Sequence, residues 1–403
     1  MPTIPELTRS IATRSVRAGI ATDAHHGAVV PPLHLSSTFS FEGFNQKRRY
    51  DYTRSGNPTR DHLAEAIAEL EEGIGAVVTN TGMSAVTLAL QLVPPGGRVL
   101  AAHDCYGGTH RLLRALAARG QIELEYTDLT APGADAVIAR RKPALLWIET
   151  PSNPLLRITD LRRVCGAGRR AGSLVVADNT FLSPALQRPL TLGADIVVHS
   201  TTKYLNGHSD VVGGAVIAAD RAQLETLAWW ANCLGLTGAP FDSFLTLRGI
   251  RTLFPRMRVH EENAREIAAA LDGHDAVLAV HYPGLATHPG HAVAAGQQAG
   301  FGGMVSFTVR GGREAAKTVA ESLELFTLAE SLGGVESLIA HPATMTHASM
   351  DADARRAAGI TEGLLRLSVG IEDSKDLLDD LARALQRVGA REVEAVGDEA
   401  LAT

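Results

Sequence analysis

ADIVVHSTTKYLNGHSDVVGG, residues 194–214, is the stretch from which the fold is inferred. It begins with an apolar run, Ile196–Val198, typical of a strand that is buried on both faces of a sheet. The hydroxyl residues Ser200 and Thr202 follow, and then comes Lys203. Open α/β sheets bind ligands at the carboxyl ends of their strands, so an amine at this place indicates a site. Taken alone, the stretch is read more simply as a loop with an exposed lysine, because most lysines are exposed.

Similar apolar runs recur through the first half of the chain, with helical patterns between several of them. Continuous apolar strands that alternate with helices are typical of a parallel sheet covered on both faces. The sequence therefore predicts an α/β fold whose large domain is a doubly wound, mainly parallel sheet. The predicted strands are residues 76–78, 98–102, 122–126, 144–149, 174–178, 195–199 and 215–219.

The pattern changes at about residue 225, where a long helical stretch leads to a mixture of strands and helices. MVSFTV and LLRLSV are typical of strands, and LLDDLARALQRVG is typical of an amphipathic final helix. We predict three regions: an N-terminal arm over residues 1–60, a large domain over 61–250 and a smaller α+β domain over 251–403. A helix that begins near Thr59 and ends before Gly73 opens the large domain.

Charge and cysteine content exclude several classes of function. The 403 residues carry a formal charge of −6 with scattered basic residues, which disfavours nucleic acid or an anionic membrane as a partner. There is no apolar run of membrane-spanning length and no apolar signal core at the start. Cys105, Cys165 and Cys233 form neither a disulfide framework nor a metal-binding spacing, and nothing near His341 and His347 completes a metal set. We therefore expect a cytoplasmic protein without a metal site.

Polar residues cluster where the predicted strands end. Lys203 and Asp178 both stand at such ends, and a lysine that forms a Schiff base together with an acid is the pair that pyridoxal phosphate (PLP) requires. Gly82–Met83, at the start of a predicted helix, provide backbone N–H groups for a phosphate, and Tyr106 provides a ring that could stack. The separate alternatives are a helix N-cap for Asp178, packing for Tyr106 and an ordinary tight turn at Gly82. Because all of these features fall at one sheet edge, PLP binding is the better explanation.

Motifs along nearly the whole chain resemble the Cys/Met-metabolism family of PLP enzymes, the transsulfuration group. They are VVPPLHLSSTFSF, YDYTRSGNPTR, NTGMSA, HDCYGGTHR, ETPSNPLLR, VVADNTFLSPALQRPL, HSTTKYLNGHSDVVGG, SLGGVESL and LLRLSVGIED. The resemblance implies PLP fold type I, the aspartate-aminotransferase-like fold, and a homotetramer built from catalytic dimers.

The resemblance also implies roles for individual residues. Lys203 is expected to be the Schiff-base lysine, Asp178 the partner of the pyridinium nitrogen, and Tyr106 both the stacking ring and an auxiliary acid or base. The expected phosphate ligands are Gly82, Met83, Ser200 and Thr202, joined by Tyr52 and Arg54 from a neighbouring subunit. The expected substrate contacts are Arg366 at the α-carboxylate, Ser331 and Asn153 beside it, and Glu330 at an ammonium group. Asn153 is also expected to contact the cofactor.

Within the family, AWWANCLGLTG, FDSFLTLRG and FTLAESLGGVESLIAHPATMTHASM resemble the γ-synthases of bacterial methionine biosynthesis. This implies γ-replacement, which joins O-succinyl-L-homoserine and L-cysteine to give cystathionine and succinate. The alternatives are γ-elimination of cystathionine and the use of O-acetylhomoserine by a sulfhydrylase. Gly108 stands where methionine γ-lyases carry a cysteine, and Glu330 can also be read as an ordinary solvated glutamate.

One departure from the family pattern concerns the acyl group. Where γ-synthases of the enteric type have a second arginine after the phosphate arginine, this chain has Ser55. Arg111 remains available for a succinyl carboxylate, and Lys47–Arg49 lie near in sequence. The choice between the succinyl and acetyl esters stays open, with the succinyl ester favoured. A dinucleotide oxidoreductase is disfavoured because the glycine fingerprint is absent, and a non-catalytic PLP-binding protein is disfavoured by the intact lysine, aspartate and arginine.

Overall fold

Two sheets form the framework of the chain in this computed structural model, in which residues 9–348, 350 and 352–401 are described. Within these residues, the larger sheet has seven strands in the order β1-β7-β6-β5-β4-β2-β3. Strand β7 runs antiparallel to both of its neighbours and the other pairs are parallel, so the sheet is mainly parallel, as predicted. The strands are β1 Gly75–Thr79, β2 Arg98–Ala102, β3 Glu123–Thr127, β4 Leu145–Glu149, β5 Leu174–Asp178, β6 Ile196–Ser200 and β7 Gly214–Ala218.

Apolar side chains on both faces explain why these short runs form strands. Along β6, Ile196 and Val198 belong to one buried cluster, whereas Val197 belongs to the cluster on the opposite face. Successive side chains of a strand point to opposite faces, so an uninterrupted apolar run is required when both faces are covered. The predicted and observed strands agree to within one residue at either end, including β1, whose predicted run is one residue shorter at each end.

The second sheet lies later in the chain and is mainly antiparallel. Among the described residues it has five strands in the order β10-β11-β12-β9-β8, of which only β10 and β11 run parallel. All of its strands come after residue 276, whereas all strands of the larger sheet come before residue 219. The boundary near residue 250 lies between the two sheets and stays a prediction. The strands are β8 Val277–His281, β9 Met304–Val309, β10 Thr327–Leu328, β11 Leu338–Ala340 and β12 Leu364–Ser368.

Helices cover both sheets. They are α1 Ile11–Arg17, α2 Pro58–Glu71, α3 Gly82–Leu90, α4 Gly107–Ala118, α5 Ala134–Arg141, α6 Leu161–Ala171, α7 Ser183–Leu186, a 3₁₀ turn Pro189–Leu192, α8 Arg221–Leu234, α9 Pro240–Ile250, α10 Leu253–Leu271, α11 His291–Gln297, α12 Gly312–Ser322, α13 Ala352–Ala358 and α14 Ser374–Leu401. None of the described helices is both long and apolar enough to cross a membrane.

The helical stretch after residue 225 is divided into three helices, which the sequence pattern alone did not separate. Gly235 adopts a left-handed conformation (φ 70°) and ends α8, and Pro240 begins α9 at a position where its missing N–H costs nothing. The predicted arm is mostly irregular apart from the short helix α1, and its residues 1–8 lie outside the described part of the chain.

A buried network of hydrogen bonds connects α2 to strand β6 of the larger sheet. The Glu71 carboxylate Oε1 lies 2.5 Å from Nε2 of His199 in β6 and accepts a hydrogen bond from Asn179 Nδ2 at 2.8 Å. All three residues are at most 1% exposed. The neighbouring Glu72 instead contacts Arg188 and Arg14 at the surface. The two consecutive glutamates therefore have opposite environments.

We predict that Glu71→Leu destabilises the protein by about 3–5 kcal/mol, because it leaves a buried histidine and amide without their acceptor. Glu72→Ala should cost at most about 1 kcal/mol, because it removes only exposed ion pairs. Denaturant unfolding of both variants measures the two values. Equal losses would contradict the assignment of Glu71 to a buried network.

Candidate functional site

A cavity of about 650 Å³ is lined by residues from both halves of the chain. It opens at the carboxyl ends of β4, β5 and β6 and is closed on the far side by residues near β12. Twelve of the fourteen residues predicted from the sequence line it: Gly82, Met83, Tyr106, Arg111, Asn153, Asp178, Ser200, Thr202, Lys203, Glu330, Ser331 and Arg366.

The amine of Lys203 projects from the turn that follows β6. Its Nζ donates a hydrogen bond to Ser331 Oγ at 2.6 Å, which joins the larger sheet to the second half of the chain. Burial, and then the positive charge of Arg366, lower the pKa of Lys203 to about 8, although Glu330 acts in the opposite direction. A substantial fraction of the amine is therefore neutral near physiological pH, as a nucleophilic lysine requires.

Two carboxylates stand side by side on adjacent strands at the floor of the cavity. Glu149 and Asp178 are register partners in β4 and β5. Asp178 Oδ1 accepts hydrogen bonds from the N–H and the hydroxyl of Thr180, at 3.0 and 2.6 Å. Burial raises the pKa of Asp178, against the effect of these hydrogen bonds and of His199. Burial, and then the charge of Asp178, raise the pKa of Glu149 well above its usual value. This floor therefore favours a ligand that brings a positive charge.

The beginning of α3 forms an anion cradle. Thr81 caps the helix, accepting a hydrogen bond from Ser84 N at 2.9 Å, and Gly82 begins it. The first-turn N–H groups of a helix have no intrahelical acceptor, and its dipole favours a negative group there. A Cβ at Gly82 would stand 2.7 Å from Ser200 Cβ, so only glycine allows this close approach. The cradle suits a phosphate in size and charge.

Tyr106 stands at the cavity wall, at the N-cap of α4. Its backbone N–H donates to Glu149 Oε2 at 2.6 Å. Burial, and then the charge of Glu330, raise the pKa of the Tyr106 phenol, which favours the protonated form. The absence of a side chain at Gly108 makes room for the Tyr106 ring, because a Cβ at position 108 would lie 2.5 Å from Tyr106 Cε1 and 2.8 Å from Met83 Sδ.

A buried guanidinium, that of Arg366, closes the opposite end of the cavity. Its Nη1 donates to Asn153 Oδ1 and its Nη2 to the Ser331 carbonyl, both at 2.9 Å. Burial lowers the pKa of Arg366 to about 10, so it stays cationic at neutral pH. Its Nε is buried and has no hydrogen-bond partner, and no carboxylate lies within ion-pair distance, among the residues that the structure describes. An anionic ligand would satisfy this group.

Arg111 and Glu330 supply exposed charges at the margin of the cavity, while two predicted residues lie away from it. Arg54 Nη1 donates to the carbonyl and side-chain oxygens of Asn232 at 2.8 and 2.9 Å. The Arg54 guanidinium also lies 5.9 Å from the centre of the Tyr52 ring, which is 49% exposed. Neither residue lines the cavity of its own chain.

The cavity also contains residues that the predicted site omitted. Glu149 and Thr180 line its floor, and Met345, Thr346 and Ala348 line its wall. Glu149 ends a predicted strand and belongs to the polar cluster expected at that sheet edge, but the prediction gave it no role. The loop at 345–348 has no local signal, because it reaches the site only through tertiary folding. No three His, Cys, Asp or Glu side chains of the described chain come together in a way that could hold a metal ion.

The residues present fit PLP. The floor carries acidic groups for a ring nitrogen, the cradle at Gly82 accepts a phosphate, and Lys203 offers a partly neutral amine between them. Arg366 lines the same cavity and offers a cationic group for the carboxylate of an amino acid.

Comparison with known proteins agrees with this fit. The profile of the family described as Cys/Met metabolism PLP-dependent enzyme matches residues 12–386. Cystathionine gamma-synthase of Escherichia coli (strain K12) is 54% identical over 376 residues, which cover 93% of this chain and 97% of that protein. Cystathionine gamma-lyase of Bacillus subtilis (strain 168) is 45% identical over 376 residues, 93% of this chain and 99% of that protein.

A solved structure extends the comparison to the fold. The structure of cystathionine gamma synthase from Xanthomonas oryzae pv. oryzae, in complex with aminoacrylate and cysteine, has a TM-score of 0.94 to this chain. The two are 62% identical, over 95% of this chain and 99% of that one.

Proposed function

The chain belongs to the Cys/Met metabolism family of PLP-dependent enzymes, and on that premise we propose that it catalyses γ-replacement in methionine biosynthesis. The reaction joins O-succinyl-L-homoserine and L-cysteine to give cystathionine and succinate. The observation that carries the proposal is the convergence of Lys203, Asp178 and Arg366 on one cavity. The greater identity to γ-synthases than to γ-lyases favours replacement over elimination.

PLP, when bound, supplies an electron sink that allows protons to leave the substrate next to its amino group and the γ-acyloxy group to depart. We propose that the Asp178 carboxylate pairs with the ring nitrogen of PLP. The phosphate is bound by Gly82, Met83, Ser200 and Thr202. The half-buried Asp178 carboxylate on the cavity floor and the helix N-terminus support these two assignments.

We assign proton transfer at the substrate α-carbon to Lys203, whose lowered pKa leaves part of the amine neutral. Ser331 Oγ, 2.6 Å from Nζ, orients that amine. We propose that Tyr106 stacks on the cofactor ring. Because its pKa is raised, the side chain stays a protonated phenol and can donate a proton as an auxiliary acid. Glu330, exposed at the cavity margin, is suited to the ammonium group of the incoming cysteine.

Arg366 is proposed to bind the substrate α-carboxylate, with Asn153 and Ser331 holding the guanidinium from the other side. An arginine can bind a carboxylate with two parallel hydrogen bonds, which fixes the orientation as well as the charge. The missing counter-ion among the described residues supports this assignment, because a buried cation without a partner is costly until an anion arrives.

We propose Arg111 as the residue that recognises the distal carboxylate of the succinyl group. The other cations suggested by the sequence have acidic partners: Lys47 pairs with Asp51 at 2.8 Å, Arg48 with Glu42 at 3.3 Å, and Arg49 with Asp61 and Glu65. Ser55, where an arginine stands in enteric γ-synthases, donates to Asp51 at 2.7 Å. Arg111 lines the cavity itself.

We further propose that Tyr52 and Arg54 serve the phosphate of a neighbouring subunit in a homotetramer of catalytic dimers. Two observations support this: neither residue lines the cavity of its own chain, and apolar arm residues such as Phe41 and Phe44 are exposed. We also propose a cytoplasmic location, because the three cysteines are free. Cell fractionation that found the protein outside the cytoplasm would contradict that location.

Purified enzyme given O-succinyl-L-homoserine and L-cysteine should release cystathionine and succinate in equal amounts, measured by mass spectrometry. Given cystathionine alone, it should release little ammonia and keto acid, since elimination is the rival reaction.

Lys203→Ala should lose the visible absorbance band of the lysine-bound cofactor and reduce turnover by a factor on the order of 10²–10⁴ or more. Retention of both band and turnover would show that the central assignment is wrong.

Arg111→Ala should lower kcat/KM for O-succinyl-L-homoserine by about 10- to 100-fold, because it removes hydrogen bonds to a charged group. The effect on O-acetyl-L-homoserine, which lacks the distal carboxylate, should be several times smaller. Arg48→Ala, which removes an exposed arginine already paired with Glu42, is the matched control and should change neither value. Equal losses on both esters in Arg111→Ala would refute the specificity role.

Subunit mixing tests the shared site. Arg54→Ala and Lys203→Ala chains should each be nearly inactive alone, whereas hybrids formed by mixing them after mild dissociation should regain activity. In a hybrid, one site receives an intact arginine from one chain and an intact lysine from the other. Mixtures that stay inactive, or a monomer in sedimentation experiments, would rule out the proposed arrangement.

A further inference from the structure

His347 is a buried histidine that the proposed function leaves without a role. It lies on the loop that contributes Thr346 and Ala348 to the cavity wall, and its side chain is 1% exposed. Its Nε2 lies 3.0 Å from the carbonyl oxygen of Asn153, and its Nδ1 lies 2.8 Å from Thr346 Oγ1. The ring thus touches a residue that contacts Arg366.

The hydrogen bonds define which nitrogen of the ring carries the proton. A backbone carbonyl only accepts, so Nε2 must donate to Asn153. Burial, and then the charge of Arg366, lower the pKa of His347 to about 4, so the ring is neutral at physiological pH. Its Nδ1 therefore keeps a lone pair, which accepts a hydrogen bond from the hydroxyl of Thr346.

Asn153 connects this ring to the guanidinium. Its side-chain Oδ1 accepts from Arg366 Nη1 at 2.9 Å, while its carbonyl accepts from His347. The next carbonyl, of Pro154, accepts from Ser306 Oγ at 2.6 Å. Two successive peptide groups are thus held by side chains from the second half of the chain. Because Asn153 is 2% exposed, no solvent molecule readily replaces either contact.

We propose that His347 is a positioning residue for the substrate-carboxylate site, which holds the Asn153 peptide so that Asn153 Oδ1 fixes the Arg366 guanidinium. The ligand class concerned is the α-carboxylate of an amino acid, and the inference rests on the carboxylate role proposed for Arg366. A fixed guanidinium presents two of its N–H groups to one carboxylate in a single orientation. A loosened guanidinium loses the paired geometry but keeps its charge.

The test uses the PLP-loaded enzyme and two probes that lack a leaving group, L-norvaline and L-norvalinamide, of which only the first carries a carboxylate. Binding is measured by the change in visible absorbance. His347→Leu removes the hydrogen-bond donor and replaces the ring with an apolar side chain of similar bulk. It should weaken binding of L-norvaline by about 10-fold and of L-norvalinamide by less than about 2-fold.

His288→Leu is the matched control, because it removes another buried histidine whose pKa is lowered to about 4 and which does not line the cavity. It should leave the ratio of the two dissociation constants unchanged. In an Asn153→Ala background, His347→Leu should give no further loss for L-norvaline, since the connecting side chain is absent. Equal weakening of both probes, or additive losses in the double variant, would overturn the proposal.

Two further substitutions decide the matter if His347→Leu fails to fold. The amide nitrogen of Gln reaches the place of His Nε2, whereas that of Asn reaches only the place of Nδ1. His347→Gln should therefore bind L-norvaline nearly as the wild type does, and His347→Asn should show the 10-fold loss. Identical binding by these two variants would overturn the proposal. If the proposed γ-replacement is wrong, the wild type forms no cystathionine, while the difference between the probes is unaffected.

Discussion

The guanidinium of Arg366, a buried cation that has no counter-ion among the described residues, is the constraint on which the rest of the site depends. Because burial of a charge is costly, the chain surrounds it with neutral oxygens, Asn153 Oδ1 and the Ser331 carbonyl, which hold it without neutralising it. The positive charge of Arg366 also lowers the pKa of Lys203 and so helps to keep its amine partly neutral. At the other end of the cavity, Asp178 and Glu149 crowd two acidic groups together. The site therefore separates its positive and negative charges, which is the arrangement that the proposed zwitterionic substrate and cationic cofactor ring require.

Ser331 couples these charges, because one residue contacts both cations. Its hydroxyl accepts from Lys203 and its carbonyl accepts from Arg366, and its backbone has a φ of +88°, a conformation that is rare outside glycine. Such a backbone conformation costs roughly 1–3 kcal/mol and persists only where the surroundings enforce it. The neighbouring Gly333, whose N–H donates to Ser368 Oγ at 2.8 Å, anchors the turn to β12. The strained turn thus places the amine and the guanidinium at a fixed separation.

Much of the fold followed from the sequence, but the site followed only in part. Buried strands such as β6 were predictable because both of their faces are apolar, and the strand-end rule then brought Asp178, Ser200 and Lys203 together. Arg366 has no such local signal, because β12 belongs to the other sheet, and only the family resemblance indicated it. Glu149 gains its importance from lying beside Asp178 on a neighbouring strand, and His347 meets Asn153 across 194 residues of sequence. Contacts of this kind depend on tertiary packing, which no local pattern encodes.

The glycine at position 108 has a consequence for how this chain can change over time. A Cβ there would overlap both the Tyr106 ring and the Met83 sulfur, so the three residues share one small volume. No single substitution can enlarge residue 108 without moving an aromatic ring or a thioether that lines the cavity. The size of the side chain at any one of positions 83, 106 and 108 therefore limits the space that is left for the other two.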